Sequence, residues 1–184
     1  MKMRKMLFAA VLLICTLTTA PAHAGDVGLS AAASLKDAMK EIIAGFQKAQ
    51  PDTTILTNFG ASGALAKQTA QGAPTDIFIS ANDQWLDFVI KENKAEAKNK
   101  GILAYNKLVF VGKKGIAVKS LADLKTLQRI ALGTPASVPA GQYAEQSLRA
   151  VGIYEELQKG NKLVMAQDVR QALMYADRAE VDGA

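Results

Sequence analysis

The chain has 184 residues, a formal charge of +5, one cysteine and one histidine. Setting aside the first 24 residues, read below as an export signal, removes Cys15 and His23 and brings the charge to +2, because Lys2, Arg4 and Lys5 go with them. What remains excludes a disulfide framework, thiolate chemistry, histidine acid–base catalysis and a His/Cys metal centre, and its slight positive balance gives no argument for nucleic acid.

In chain order, the first segment runs from a basic start through an apolar stretch, Leu7–Leu17, to Ala22-His23-Ala24 before Gly25. This is the pattern of a secretory signal cleaved after Ala24, with an apolar core too short to remain as a membrane span. Ile14 stands before Cys15 where a lipoprotein signal needs a small residue, which argues against a lipid anchor. The remaining 160 residues are expected to be exported and soluble, and are enough to bury a good core.

From Gly25 onward, β and α patterns alternate. Expected strands are Val27–Ala31, Thr54–Phe59, Asp76–Ser80, Lys107–Gly112, Arg129–Gly133 and Lys162–Met165. The first helix is the clearest, since Leu35, Ala38, Met39, Ile42, Ile43 and Phe46 share one face at helical spacing. Ser34 and Asp37 form an S-x-x-D variant of a capping box at its start. A second helix covers about Gly63 to Gln71 and stops at Gly72, and a third presents Trp85, Phe88 and Val89. Ser120-Leu121-Ala122-Asp123 opens a fourth with a box-like cap, Tyr143 to Val151 marks a fifth, and Val169 to Ala176 the last. Such alternation predicts parallel sheets covered by helices on both faces. The charged stretch Lys91–Gly101 reads as a passage between lobes, giving lobe I over 25–90, a passage over 91–104 and lobe II over 105–184.

Two strand-to-helix corners carry the functional signal: Ala31-Ala32-Ala33-Ser34-Leu35 and Phe59-Gly60-Ala61-Ser62-Gly63. Small residues let a ligand approach the backbone, the serine offers a neutral hydroxyl, and the helix behind it offers free N–H groups and the positive end of its dipole. Taken singly, Ser34 and Ser62 also read as ordinary N-caps. Two further corners follow, Val138-Pro139-Ala140-Gly141, with proline suited to a first helical turn, and Asp168-Val169-Arg170, with Asp168 as N-cap. In open α/β sheets ligands sit at the carboxyl ends of strands, where all these corners lie. Trp85 reads as packing, Arg170 as a member of an ion pair, Asp76 as a tie to a neighbouring loop, and Lys113-Lys114 as a solvated turn.

With these corners, Gly72-Ala73-Pro74-Thr75-Asp76-Ile77-Phe78-Ile79-Ser80-Ala81, Val138-Pro139-Ala140-Gly141-Gln142-Tyr143-Ala144 and Asp168-Val169-Arg170-Gln171-Ala172-Leu173 complete a set of motifs in register. The sequence resembles the periplasmic molybdate-binding proteins of bacterial molybdate ABC transporters over essentially all of residues 25–184. The resemblance implies an α/β, two-lobed periplasmic binding protein fold of the type II-like class, with the ligand in the interlobe cleft. It implies capture of a tetrahedral molybdate or tungstate ion, no cofactor, a membrane permease as partner and a monomeric state. By motif position, Ser34 and Ser62 would contribute hydroxyl and backbone donors from one lobe, and Ala140 and Val169 backbone N–H groups from the other. The family's remaining ligand, a tyrosine in a strand after the last helix, would fall just beyond Ala184, so the second lobe is expected to be incomplete and the sequence a fragment.

The chemistry fits such a ligand. A fully deprotonated oxyanion has only acceptors, so its site should present only donors, whereas phosphate keeps a proton near neutral pH and benefits from an acceptor. Two other readings stand beside this one. One is a sulfate or other tetrahedral-oxyanion binder. The other is a secreted serine hydrolase using Ser34 or Ser62, which would need a lysine base such as Lys36 or Lys67, although neither makes the S-x-x-K spacing.

Overall fold

The computed structural model describes residues 25–184; the expected export signal lies outside the described residues. The chain alternates β and α throughout, and its strands form two separate sheets. The first sheet has the order β2-β1-β3, with β1 at Val27–Ala32, β2 at Ile55–Gly60 and β3 at Ile77–Ile79, all parallel. The second pairs β4, Ile130–Gly133, with β5, Leu163–Ala166, again parallel. Each of these strands lies within a residue or so of its sequence-predicted place.

Helices cover both faces of each sheet, as the alternation predicts. In the first sheet, Leu29 and Ala31 of β1 point to α1, Lys36–Ala49, where Met39 is buried beside Leu35 and Ile43. The residue between them, Ser30, points the other way and meets Thr75, which also hydrogen-bonds Thr69 of α2, Ser62–Ala70. Asp76 ties its loop down as expected, accepting the Gly28 N–H at 2.7 Å. A side chain at Gly28 would collide with the Pro74 carbonyl, so glycine is required there.

In the second sheet Ile130 joins Leu124, Leu127, Leu148, Ile153, Tyr154 and Leu157 in the main core. This core lies under α4, Pro139–Ala150, and α5, Tyr154–Lys159. The neighbouring residue Ala131 faces the opposite side, packing with Ala172 and Ala176 of α6, Val169–Asp177. Glycines end two helices where the sequence places them, Gly72 with φ +95° after α2 and Gly152 with φ +74° after α4.

Four expectations are corrected. The strand at Lys107–Gly112 is not formed; only a single bridge at Gly112 is made, to Gly183. Backbone bonds join Val111 with Ala184 and Lys113 with Asp182, but residues 107–110 meet no strand edge, and Val109 is 69% exposed. The segment Leu121–Thr126 is a 3-10 helix instead of an α-helix, although its cap is as predicted, with Asp123 accepting the Ser120 and Lys119 N–H groups. The apolar face of α1 is only partly covered, since Ile42 and Phe46 are 59% and 44% exposed; the narrow three-stranded sheet reaches Met39 and Ile43 but not the next turn. Lys113 does not belong to a merely solvated turn, because its ammonium pairs with Asp182 at 3.3 Å.

Asp182 is the hub of this region. Its Oδ2 accepts the N–H groups of Gln128 and Arg129 at 2.7 and 3.0 Å. Those bonds, together with Lys113, hold its carboxyl below the ordinary aspartate value. Gly183 then lies beside Ile130, so residues 182–184 extend the second sheet between β4 and residues 111–113.

Between the sheets, α3 at Asp83–Lys91 is capped by Asn82 and leads into the expected passage. Lys100 pins that passage back onto α3, reaching Asp87 at 2.7 Å and Asp83 at 3.2 Å. These contacts raise the Lys100 pKa above its ordinary value.

Candidate oxyanion site

The carboxyl ends of the parallel strands point into one cleft of about 280 Å³. Ser34, Ser62, Ala140 and Val169, each reached from a different corner, all line it. Small residues at the strand ends, Ala32, Ala33, Gly60 and Ala61, keep the floor low enough for backbone groups to be reached.

The two serines are not equivalent. Ser62 is 1% exposed and its Oγ accepts the Ala81 N–H at 3.0 Å, leaving its own proton to donate. Ser34 is exposed and lies in a 3-10 turn, Ala33–Leu35, that precedes α1. The predicted Ser34–Asp37 capping box is absent: no side chain caps α1, and Asp37 is instead drawn to Arg170. The inserted 3-10 turn moves the helix start past Ser34 and leaves its hydroxyl turned away from a capping role.

On the opposite wall, close packing brings the start of α4 onto the end of β4. A side chain at Gly141 would overlap the Gly133 carbonyl, and one at Gly133 would overlap Val138. Glycine at both positions is therefore what lets Ala140 reach the cleft. Thr134 fastens this corner to β5, donating both its N–H and its hydroxyl to the Ala166 carbonyl at 2.8 and 3.0 Å. Val169 begins α6, whose cap is Asp168 as predicted; its Oδ1 accepts the Arg170 and Gln171 N–H groups at 2.8 and 3.0 Å.

The cleft also contains residues that the sequence did not single out. Asn106, Lys107, Leu108 and Val109, from the unpaired segment after the passage, line one side, and Tyr143 of α4 another. Lys107 brings a cation to the wall. Nothing in local pattern marks residues 106–109 as cleft residues, because they arrive there only through the fold of the passage. Trp85 is packing, as expected, edge-on to Phe88 with centroids 5.8 Å apart. Arg170 forms an ion pair, as expected, reaching Asp37 at 2.6 Å; that bond holds the Asp37 carboxyl below its ordinary value.

The profile of the family described as bacterial extracellular solute-binding protein matches residues 27–184. The chain belongs to that family. Among its solute-binding relatives, YvgL of Bacillus subtilis (strain 168), by name a substrate-binding lipoprotein, is 38% identical over 156 residues, 84% of this chain and 59% of its own length. The molybdate-binding protein ModA of Escherichia coli (strain K12) is 36% identical over 183 residues, 95% of this chain and 70% of its own length. The periplasmic molybdate-binding protein of Azotobacter vinelandii superposes with a TM-score of 0.77 at 22% identity, over 85% of this chain and 69% of that one. This likeness shows a shared periplasmic binding protein fold. The chain spans 59 to 70% of the length of these two sequence relatives.

Proposed function

We propose that this protein captures molybdate or tungstate in the periplasm and delivers it to the membrane permease of an ABC importer, without catalysis. The observation that carries the reading is the convergence of Ser34, Ser62, Ala140 and Val169 on one small cleft. Identity to a named molybdate-binding protein at 36% supports it. In this reading the domains divide as lobe I over 25–90, a passage over 91–104 and lobe II over 105–184, and the export signal is cleaved after Ala24 without a lipid anchor.

Binding follows from donors alone. Hydrogen bonds to a charged group contribute about 1.5–3 kcal/mol each, so five or six reach the roughly 8 kcal/mol of a micromolar site after ordering costs. Neutral hydroxyl and backbone donors hold the dianion while the lobes are closed and let it go when they part. The two lysines that the hydrolase reading called on stand away from the serines: Lys67 lies over the Trp85 ring at 5.7 Å, and neither it nor Lys36 lines the cleft.

Isothermal titration with molybdate, tungstate, sulfate and phosphate tests the proposal. Saturable one-to-one binding of molybdate and tungstate, with phosphate at least about tenfold weaker, is expected. A preference for sulfate would make this a sulfate-binding protein instead, and silence toward all of them would end the oxyanion reading.

A further inference from the structure

The two lobes meet through side chains that stand beside the cleft without belonging to its lining. On one rim, the Gln142 amide of α4 spans the gap with both ends. Its Oε1 accepts from Asn82 Nδ2 at 3.0 Å and its Nε2 donates to Gln84 Oε1 at 2.6 Å. The orientation is dictated by Asn82, whose Oδ1 is already engaged as the α3 cap by the Trp85 N–H at 3.3 Å. Only the amide nitrogen of Asn82 is left to face Gln142. Ala81, the residue before Asn82, is the one whose N–H is held by Ser62. The bridge therefore joins the helix that starts at the Ala140 corner to the Ser62 corner through two hydrogen bonds and the backbone between Ala81 and Asn82. Next to it, the Gly63 N–H donates across the lobes to the Ser137 carbonyl at 2.9 Å. On the other rim, Arg170 beside Val169 reaches Asp37, three residues after Ser34.

We propose that Gln142 and Arg170 are positioning residues: they set how often and how long the lobes stay closed, and through that the lifetime of the bound oxyanion, without touching it. This rests on the capture reading above. Apparent affinity is the intrinsic affinity scaled by the fraction of molecules in the competent, closed form, so contacts that exist only on closure tune binding from outside the site. The two latches differ in kind. Gln142 makes a neutral bridge that salt leaves alone. The Arg170–Asp37 pair is exposed, 44% and 69% at the side chains, and is therefore weak and screened by salt. Because both contacts bridge the closed lobes, their loss is expressed chiefly in release and much less in association.

Two measurements test this on the full chain. The first is stopped-flow release of molybdate, followed by emission of Trp85, the only tryptophan. Gln142→Ala, which removes both interlobe hydrogen bonds, is expected to speed release by at least roughly fivefold, the size of one such bond, with association changing much less. Arg170→Asp speeds it at low salt but not at high salt, and Asp37→Arg combined with Arg170→Asp restores the original rate. The second needs no oxyanion: in a Cys15→Ser background, Asp37→Cys and Arg170→Cys are joined by a short bifunctional maleimide, and the rate of joining reports lobe closure. Adding Gln142→Ala is expected to slow it by a similar factor. Faster release with an unchanged joining rate would place Gln142 in the anion site itself and overturn the positioning role, as would no change in either. If Gln142→Ala fails to fold, Gln84→Ala removes one of its two bonds from the other lobe and is expected to speed release and slow joining by roughly fivefold, with the same result overturning the positioning role. If the unaltered chain ignores molybdate, the capture reading falls, and the joining rate alone still decides whether the latch closes the lobes.

Discussion

Ser34 and Ser62 occupy equivalent positions in two similar corners, yet the fold gives them different neighbours, and the difference is measurable. Ser62 is buried and satisfies the Ala81 N–H; Ser34 is exposed and caps nothing. Ser34→Ala is therefore expected to weaken molybdate binding by about 1–3 kcal/mol with the ligand-free melting temperature unchanged. Ser62→Ala should weaken binding similarly and also destabilise the ligand-free protein by about 0.5–1.5 kcal/mol, because the Ala81 N–H loses its hydrogen bond to the Ser62 hydroxyl. Calorimetry with and without molybdate separates the two. Loss of ligand-free stability in Ser34→Ala with affinity untouched would mean that Ser34 serves the fold and not the ligand. The sequence made both serines visible through their small neighbours, but no local pattern tells which would be buried. That depended on Ala81, nineteen residues away.

At the scale of elements, five strands and most helices were legible because their patterns are local: apolar runs for buried parallel strands, a 3.6-residue period for helices, glycine for their ends. The strand at 107–112 failed for a non-local reason. A run of β-favouring residues becomes a strand only beside an edge, and residues 107–110 have none among the described residues. They lie against the cleft instead, so the same misreading hid both a missing strand and part of the site's lining. The Ser34–Asp37 box failed because a cross-lobe partner, Arg170, competes for the same carboxylate. Asp182 is the counterpart on the second sheet, holding residues 128–129 and 113 to the sheet's edge. Asp37, Asp123 and Asp182 all have carboxyl pKa values below the ordinary 3.8. Groups with depressed folded values stabilise the protein above the unfolded value and lose that contribution as pH falls through the folded value. Thermal stability should therefore be level from about pH 8 to pH 5 and fall progressively below pH 4. Asp182→Asn is expected to flatten that acid slope. An unchanged slope in the variant would mean that Asp182 does not contribute to acid unfolding.

In the whole molecule two α/β lobes turn their strand ends toward one cleft, where the four corner residues offer neutral donors and Lys107 and Asp168 stand on the wall. No histidine lies among the described residues, so no histidine of the cleft titrates near neutrality, and molybdate remains a dianion there. Affinity is expected to stay constant between about pH 6 and pH 8 in titrations at fixed ionic strength. A stepped or bell-shaped profile would mean that an ionisable group contacts the ligand, against a pocket of neutral donors. Ionic strength should matter more than pH, since Lys107 on the wall and the Arg170–Asp37 pair at the rim both act through screened charge.

Diffraction at the molybdenum absorption edge, from crystals grown with molybdate, decides whether an oxyanion is held between the four corners. One anomalous peak is expected in the cleft, within hydrogen-bonding reach, through its oxygens, of the Ser34 and Ser62 hydroxyls and the Ala140 and Val169 N–H groups. A peak held at Lys107 alone, a peak elsewhere on the surface, or none at all in crystals soaked to saturation would contradict it.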